Sequence, residues 1–245
     1  MARDTLTRDQ IVRTAVELLD AEGLEGLNMR ALGNRLNSAA TAMYWHVKNK
    51  DNLVLLATDQ VWSELTLPDL DAVDWRTAAT AMATDLYAMF TRHPWLVQVF
   101  AAHVVYGEGK ARHDDHSLAV YEFAGFTGAQ ADQAAAAVFT YVLGNAAGVA
   151  ATASLTRKLN EAHSTAEEQF QHAMTKAQEI AMRYPRLRAR LDTQAAADYA
   201  AAPDKTFEFG LQALLDGLEQ ELAVQTDPNP HRSSRSAAAH GPCPR

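Results

Sequence analysis

Residues 28–53 read NMRALGNRLNSAATAMYWHVKNKDNL, with four basic side chains (Arg30, Arg35, Lys48, Lys50), an aromatic pair (Tyr44, Trp45) and one acid, Asp51, near the far end. The chain as a whole is acidic, with a formal net charge of −8 over 245 residues. A local reversal of sign in such a chain is what a DNA-facing surface requires, because phosphates attract cations and repel carboxylates. The same window carries helix-turn-helix punctuation. Asn28 is placed to cap a short helix whose Met29, Leu32 and Leu36 share one face, and Asn37 tolerates the left-handed backbone that ends it. Ser38 is expected to cap a second short helix running to about Trp45. The small residues Ala39, Ala40, Thr41 and Ala42 let its backbone approach a groove wall.

Working outward, Thr7 with Gln10 makes a capping-box pattern ahead of Ile11, Ala15, Leu18 and Leu19, the apolar stripe of a helix ending near Gly23. Asn49 is placed to cap a fourth helix from about Lys50, with Leu53, Leu56, Ala57 and Val61 on one side. Residues 1–49 therefore read as a three-helix head and 50–66 as a linking helix. Residues 1–60 hold 7 Lys/Arg against 8 Asp/Glu, so almost all of the negative charge belongs to the remainder. An acidic body behind a locally basic face discourages DNA from lying anywhere else.

The window resembles the DNA-binding domain of the tetracycline-repressor (TetR) family of bacterial transcriptional regulators, and the stretch from Tyr44 to Lys50 is especially similar to the tetracycline repressors themselves. The resemblance is specific over about the first sixty residues and architectural beyond them. It implies that Asn28, Arg30, Ser38, Thr41, Ala42, Tyr44, Trp45, His46 and Lys48 form the DNA-contacting set, with Lys48 on phosphate. Tyr44 and Val47 equally suit the small core of the head. Asn37 stands where the family usually has a turn glycine. Ala39 and Ala40 stand where longer polar side chains often read bases, so the operator is this chain's own. The resemblance further implies a homodimer on a palindromic site, with reading helices about 34 Å apart, and repression relieved when a small effector in the body tilts the fourth helix.

The body, residues 67–226, reads as helical throughout, and the fold class is all-α. Trp75, Ala79, Met82, Leu86, Met89 and Phe90 recur at helical spacing. Breaks are expected at Leu67–Asp74, His93-Pro94, Gly107 and Gly109, Gly125 to Gly128, and Tyr184-Pro185. Residues 227–245, rich in Pro, Ser, Ala and Arg, read as a disordered tail. Ala134 to Leu155 has no charged residue, but its Ala, Gly, Thr and Asn content points to a buried helix rather than a membrane span. Gly144 and Gly148 leave a groove on it for close packing. A second stripe, Phe207, Leu211, Leu214, Leu215 and Leu218, marks a helix from about Asp204 to Ala223. These two helices serve either a four-helix dimer interface or the monomer core.

Met82, Leu86, Met89, Phe90, Trp95, Phe100, His103, Tyr121, Phe139 and Phe170 are the candidate effector-pocket residues, apolar and aromatic with a few polar tips. The rival readings are a metal-dependent helical enzyme and a non-DNA-binding scaffold. His113-Asp114-Asp115-His116 has the residue types of a metal cluster, but reads better as an exposed helix start capped by Asp114 or Asp115. The chain has no Walker A loop, dinucleotide glycine fingerprint, G-x-S-x-G or H-E-x-x-H. No enzyme activity, cofactor or metal is expected. One cysteine, Cys243, and a charged start without an apolar core fit a cytoplasmic protein, with no membrane partner expected.

Overall fold

The computed structural model describes residues 6–161, 165–191, 193 and 203–226, and every regular element among them is an α-helix. The expected tail, 227–245, lies outside the described residues. The helices are α1 (Arg8–Gly26), α2 (Met29–Leu36), α3 (Ala40–Val47), α4 (Lys50–Trp62), α5 (Trp75–Arg92), α6 (Trp95–Ala102), α7 (Glu108–Ala124), α8 (Ala129–Glu161), α9 (Thr165–Ala181), α10 (Pro185–Leu191) and α11 (Pro203–Thr226).

Local chemistry fixes the head. Thr7 and Gln10 form a reciprocal capping box at the start of α1, and that helix breaks at Gly23, whose φ of 69° a side chain would strain. Asn28 accepts from the Ala31 amide at 2.8 Å to begin α2, and Asn37 closes it in the left-handed region with φ 48°. Asn49 likewise accepts from Asn52 at 2.7 Å to begin α4. Ile11, Ala15, Leu18 and Leu19 meet Leu32, Met43, Val47 and Leu53 in a fully buried core. Truncating one of its leucines to alanine costs roughly 2–5 kcal/mol, because the surrounding helices cannot close the void.

In the body, α8 lies against α5, α6, α7 and α11, and α4 continues the head's core into it. Asp74 caps α5, and His93 and Pro94 separate α5 from α6 where proline cannot continue the ladder. Three ties set the head relative to the body. Asp20 of α1 accepts from Trp95 Nε1 at 2.7 Å, and its Oδ1 also lies 2.7 Å from His93 Nδ1. Asp59 of α4 accepts from the Gly109 and Lys110 amides at 2.9 and 3.2 Å, so a carboxylate from the linking helix occupies the N-terminus of α7. Arg112 of α7 donates to the Ser63 and Leu65 carbonyls at 3.0 and 3.2 Å, closing the far end of the same joint.

The two apolar helices of the body divide by face. The stripe on α11 turns inward: Phe207, Leu211 and Leu215 are buried, with Phe207 stacked on Tyr87 at 4.2 Å, so these residues belong to the core of the single chain. The uncharged helix is buried along one edge only, through Ala131, Ala134, Val138, Val142, Ala146 and Ala150. Its opposite edge, including Gly144 and Gly148, is exposed, and nothing comes within 4 Å of a Cβ built at either glycine. By length and hydropathy α8 is the one helix among the described residues able to cross a membrane.

Candidate functional site

The turn between α2 and α3 differs from the sequence expectation in one residue. Ser38 was expected to cap α3, but the left-handed Asn37 carries the chain one step further before the helix begins, and Ala39 becomes its N-cap without a side-chain bond. Ser38 Oγ instead donates to the Leu36 carbonyl at 3.3 Å. The first-turn amides of α3 consequently lack a side-chain acceptor, which leaves the positive end of that helix for an outside anion.

On α3 the apolar side faces in and the rest faces out. Met43 and Val47 are fully buried, Tyr44 is 47% exposed and Trp45 is 90% exposed. Val47 therefore takes the core role that Tyr44 shared in the sequence reading. Ala42 and His46 are exposed beside Trp45, and Thr41 lies in the same helix. The aliphatic and aromatic halves of one short element thus do different work: the buried pair fixes its position and the exposed ring has no intramolecular role that would hold it out of solvent.

The four cations also separate. Arg35 pairs with Glu22 at 3.1 Å within the head, and Lys50 at the start of α4 donates to the Leu24 carbonyl at 2.8 Å, tying the linking helix to the head. Arg30 and Lys48 are exposed, and among the described residues neither has an ion-pair partner. Lys48 ends α3 with φ 57°, an arrangement that costs a non-glycine residue roughly 1–3 kcal/mol. Its amide is held to the Tyr44 carbonyl at 3.1 Å, which fixes where the ammonium leaves the backbone. Asn28 is exposed at the start of α2, its side chain occupied as the cap.

Within the body, the candidate pocket residues fall into three groups. Met82, Leu86, Tyr121 and Phe139 line a slot of about 20 Å³ between α5, α7 and α8. Met89 and Phe90 are buried beside Phe100, whose ring lies 5.8 Å from Phe90 and 5.5 Å from Phe139. The remaining three are elsewhere: Trp95 is bound to Asp20, His103 has Nε2 4.0 Å from Asp51 at the start of α4, and Phe170 sits on α9, outside this ring cluster. Burial pushes the Tyr121 phenol well above its ordinary pKa, so it remains an O–H donor.

The sequence reading of His113–His116 as an exposed helix start is overturned. α7 begins at Glu108, capped across the joint by Asp59, which places His113 in the helix interior with 6% exposure. Its ring meets the edge of Trp62 at 4.9 Å, and neither ring nitrogen has a hydrogen-bond partner. Asp114 stands outside, paired with Lys110 and 3.7 Å from His113 Nδ1. Burial works to raise its pKa, but His113 and Lys110 outweigh that and hold the carboxyl below its usual value. Among the described residues no group of three or more His, Cys, Asp or Glu is arranged to hold a metal. The sequence reading named His113 but placed it at an exposed helix start, because the flanking acids pointed to a helix end, and it did not single out Trp62, against which the His113 ring packs, or Ser117 on the same face of α7.

Two family models cover the chain. That for "Bacterial regulatory proteins, tetR family" matches residues 11–57, and that for "Tetracyclin repressor-like, C-terminal domain" matches residues 67–222. The transcriptional repressor DrrR1 of Streptomyces coeruleorubidus is 32% identical over 90% of this chain and 80% of its own length. A transcriptional regulator of Saccharopolyspora erythraea is 38% identical, and the alignment spans 57% of this chain and 59% of that protein. Apo ActR of Streptomyces coelicolor superposes with a TM-score of 0.69 at 25% identity, covering 91% of this chain and all of ActR. An outward aromatic helix between two unpaired cations, on a helical body matched along nearly its whole length, places the chain in the TetR family of DNA-binding transcriptional regulators.

Proposed function

We propose that the protein is a homodimeric repressor that leaves a palindromic operator when a small molecule enters its helical body. The observation that carries this reading is α3 itself, with Trp45 90% exposed and Arg30 and Lys48 unpaired on either side of it. Arg30, Ala42, Tyr44, Trp45 and His46, with Thr41 on the same helix, are assigned to the major groove and its edges. Lys48 and the uncapped amides of α3 are assigned to phosphate. Asn28 and Ser38 support the reader by shaping the turns before it.

The exposed, uncharged edge of α8 supports the homodimer. A glycine groove unfilled within one chain suits the close approach of an equivalent helix from a second. Phe209 and Val224 of α11, 79% and 72% exposed, extend the apolar surface available to that partner. Two-fold pairing would give two reading helices and hence a palindromic site. Residues 1–49 then serve as the DNA-binding head, 50–66 as the link and 67–226 as the effector-binding and dimerising body.

Solved complexes of ActR with actinorhodin and with (S)-DNPA support a small-molecule effector for this chain as well. A slot of about 20 Å³ has room for about one water, so a ligand must part α7 from α5 and α8. Because Asp59 and Arg112 join α7 to α4, that displacement reaches the helix carrying the head. The ligand stabilises the parted state by no more than its difference in affinity for the two states. The reading has the protein working in the cytoplasm, without catalysis and without a resident cofactor.

Capture of fragments from the protein's own genome tests the proposal. Lys48→Ala should weaken binding to all retained fragments alike and reduce the slope of log affinity against log salt by about one for each phosphate that the lysine neutralises. An unchanged slope would remove Lys48 from the interface, and capture of no fragment in dilute buffer would refute the repressor reading.

A further inference from the structure

We propose that the amino-terminal end of α3 reads thymine methyl groups: each operator half-site carries thymine opposite Ala39 and Ala42, recognised there by apolar contact rather than by hydrogen bonds. This inference rests on α3 being the helix that enters the major groove.

Ala39 at the N-cap, Ala42, Trp45 and His46 are all exposed, and their three- and four-residue spacings place them along one stripe of α3. Chemistry is divided unevenly along that stripe. Ala39 and Ala42 each present a methyl group and neither a donor nor an acceptor. The groups able to hydrogen-bond a base edge, the Trp45 Nε1–H and the His46 ring nitrogens, come only after them. Just before the stripe, the Ser38 hydroxyl is engaged with the Leu36 carbonyl at 3.3 Å.

Two features bring the methyl end of the stripe closest to the bases. A reading helix presents its amino-terminal residues to base edges, and alanine is so short that the backbone must lie against the groove floor before its methyl touches anything. The amides of this same end have no side-chain cap, so a phosphate on the groove wall can accept from them and hold the end in place. Alanine is among the poorest N-caps, and serine, threonine, asparagine or aspartate at position 39 would stabilise the helix. A contact made outside the protein accounts for an apolar residue there.

Among the four bases only thymine presents a methyl group in the major groove; the other three present donors and acceptors alone. An alanine methyl pressed on a polar edge strips water from it and offers no bond in return, which is unfavourable. Pressed on thymine, it buries two methyl groups against each other. The two alanines therefore select thymine by rejecting polar edges as well as by attraction.

The test uses genomic fragments retained by the full chain, amplified once with thymidine and once with deoxyuridine triphosphate, so that the two products differ only in the C5 methyl. The uracil form should bind at least about tenfold more weakly. Synthetic duplexes of the retained site then carry uracil at one thymine position at a time. Each contacting methyl lost should cost about fourfold, and about fifteenfold when both half-sites are changed together. Ala39→Gly and Ala42→Gly should each abolish the uracil penalty at one position and preserve it at the other, and the preserved penalty shows that the variant head still folds and reads. Exchanging a sensitive thymine pair for 5-methylcytosine with guanine should bind about fourfold more tightly than the same exchange to cytosine with guanine, because the methyl is kept. A uracil penalty under about twofold at every position, penalties that persist in both glycine variants, or no gain from 5-methylcytosine would overturn the assignment. Retention of fragments without any dependence on the methyl group removes this assignment alone, whereas retention of no fragment in dilute buffer removes the DNA-reading role of α3 and this assignment with it.

Discussion

Gly109→Ala examines the joint between the linking helix and the body. A Cβ built at Gly109 would sit 2.6 Å from the Asp59 carbonyl oxygen and 2.8 Å from the Ser63 amide nitrogen, where ordinary contact begins at 3.4 Å. Both neighbours are backbone atoms within or at the end of α4, so no rotamer change relieves the overlap. α7 must withdraw from α4 by about 0.8 Å, an overpacking displacement that typically costs 1–3 kcal/mol. The same movement stretches the two amide bonds to Asp59, now 2.9 and 3.2 Å, and a weakened pair of charge-assisted bonds adds about 1–2 kcal/mol. The expected total is about 2–4 kcal/mol, which for a chain of this size lowers the melting temperature by roughly 4–16 °C. Thermal unfolding followed by circular dichroism gives the shift, and binding to a captured genomic fragment gives the functional effect, a loss of affinity because α4 no longer has its rest position. A melting temperature within about 2 °C of wild type would show that the joint yields freely and would refute the rigid α7–α4 coupling.

Further perturbations address the other joints and caps. Asp20→Ala leaves the Trp95 indole and the His93 ring without their shared acceptor and should destabilise the protein by about 2–4 kcal/mol in urea unfolding; a change under about 0.5 kcal/mol would mean that solvent replaces the carboxylate. A Cβ built at Gly148 meets nothing within 4 Å in the single chain, so Gly148→Leu should retain helicity while sedimentation shows monomer; a persisting dimer of wild-type affinity would place the interface elsewhere. Asp74, whose pKa hydrogen bonds from Thr77 lower below 3.8, contributes its α5 cap fully above that value and loses it as the pH falls through the depressed folded value. Asp74→Asn keeps the cap without the titration, so an acid titration of helicity should lose a component below pH 3.8 in the variant; identical acid limbs would remove Asp74 from the transition.

Local chemistry made the head legible in the sequence. Its capping residues act within three positions along the chain: Thr7 on Gln10, Asn28 on Ala31, Asn49 on Asn52. Interactions that short depend on little beyond the residues themselves. Ser38 was misread for the opposite reason, since the left-handed turn before it, and the packing of Met43 and Val47, decided which residue would start α3. Among the four cations, residue type alone could not separate Arg30 and Lys48 from Arg35 and Lys50. Their division arises from Glu22 and the Leu24 carbonyl, 13 and 26 positions away in the chain.

By itself, the sequence determined an all-helical chain, the order of its breaks and a basic, aromatic helix near its start, because periodicity and capping are properties of neighbouring residues. Only the tertiary structure decided which apolar stripe is core, which edge of α8 remains uncovered, and that His113 faces inward against Trp62. It also decided that Asp59 of α4 would occupy the start of α7. Burial and long-range pairing depend on where a helix comes to rest against others, and hydrophobic attraction has no direction of its own with which to encode that choice in a single segment.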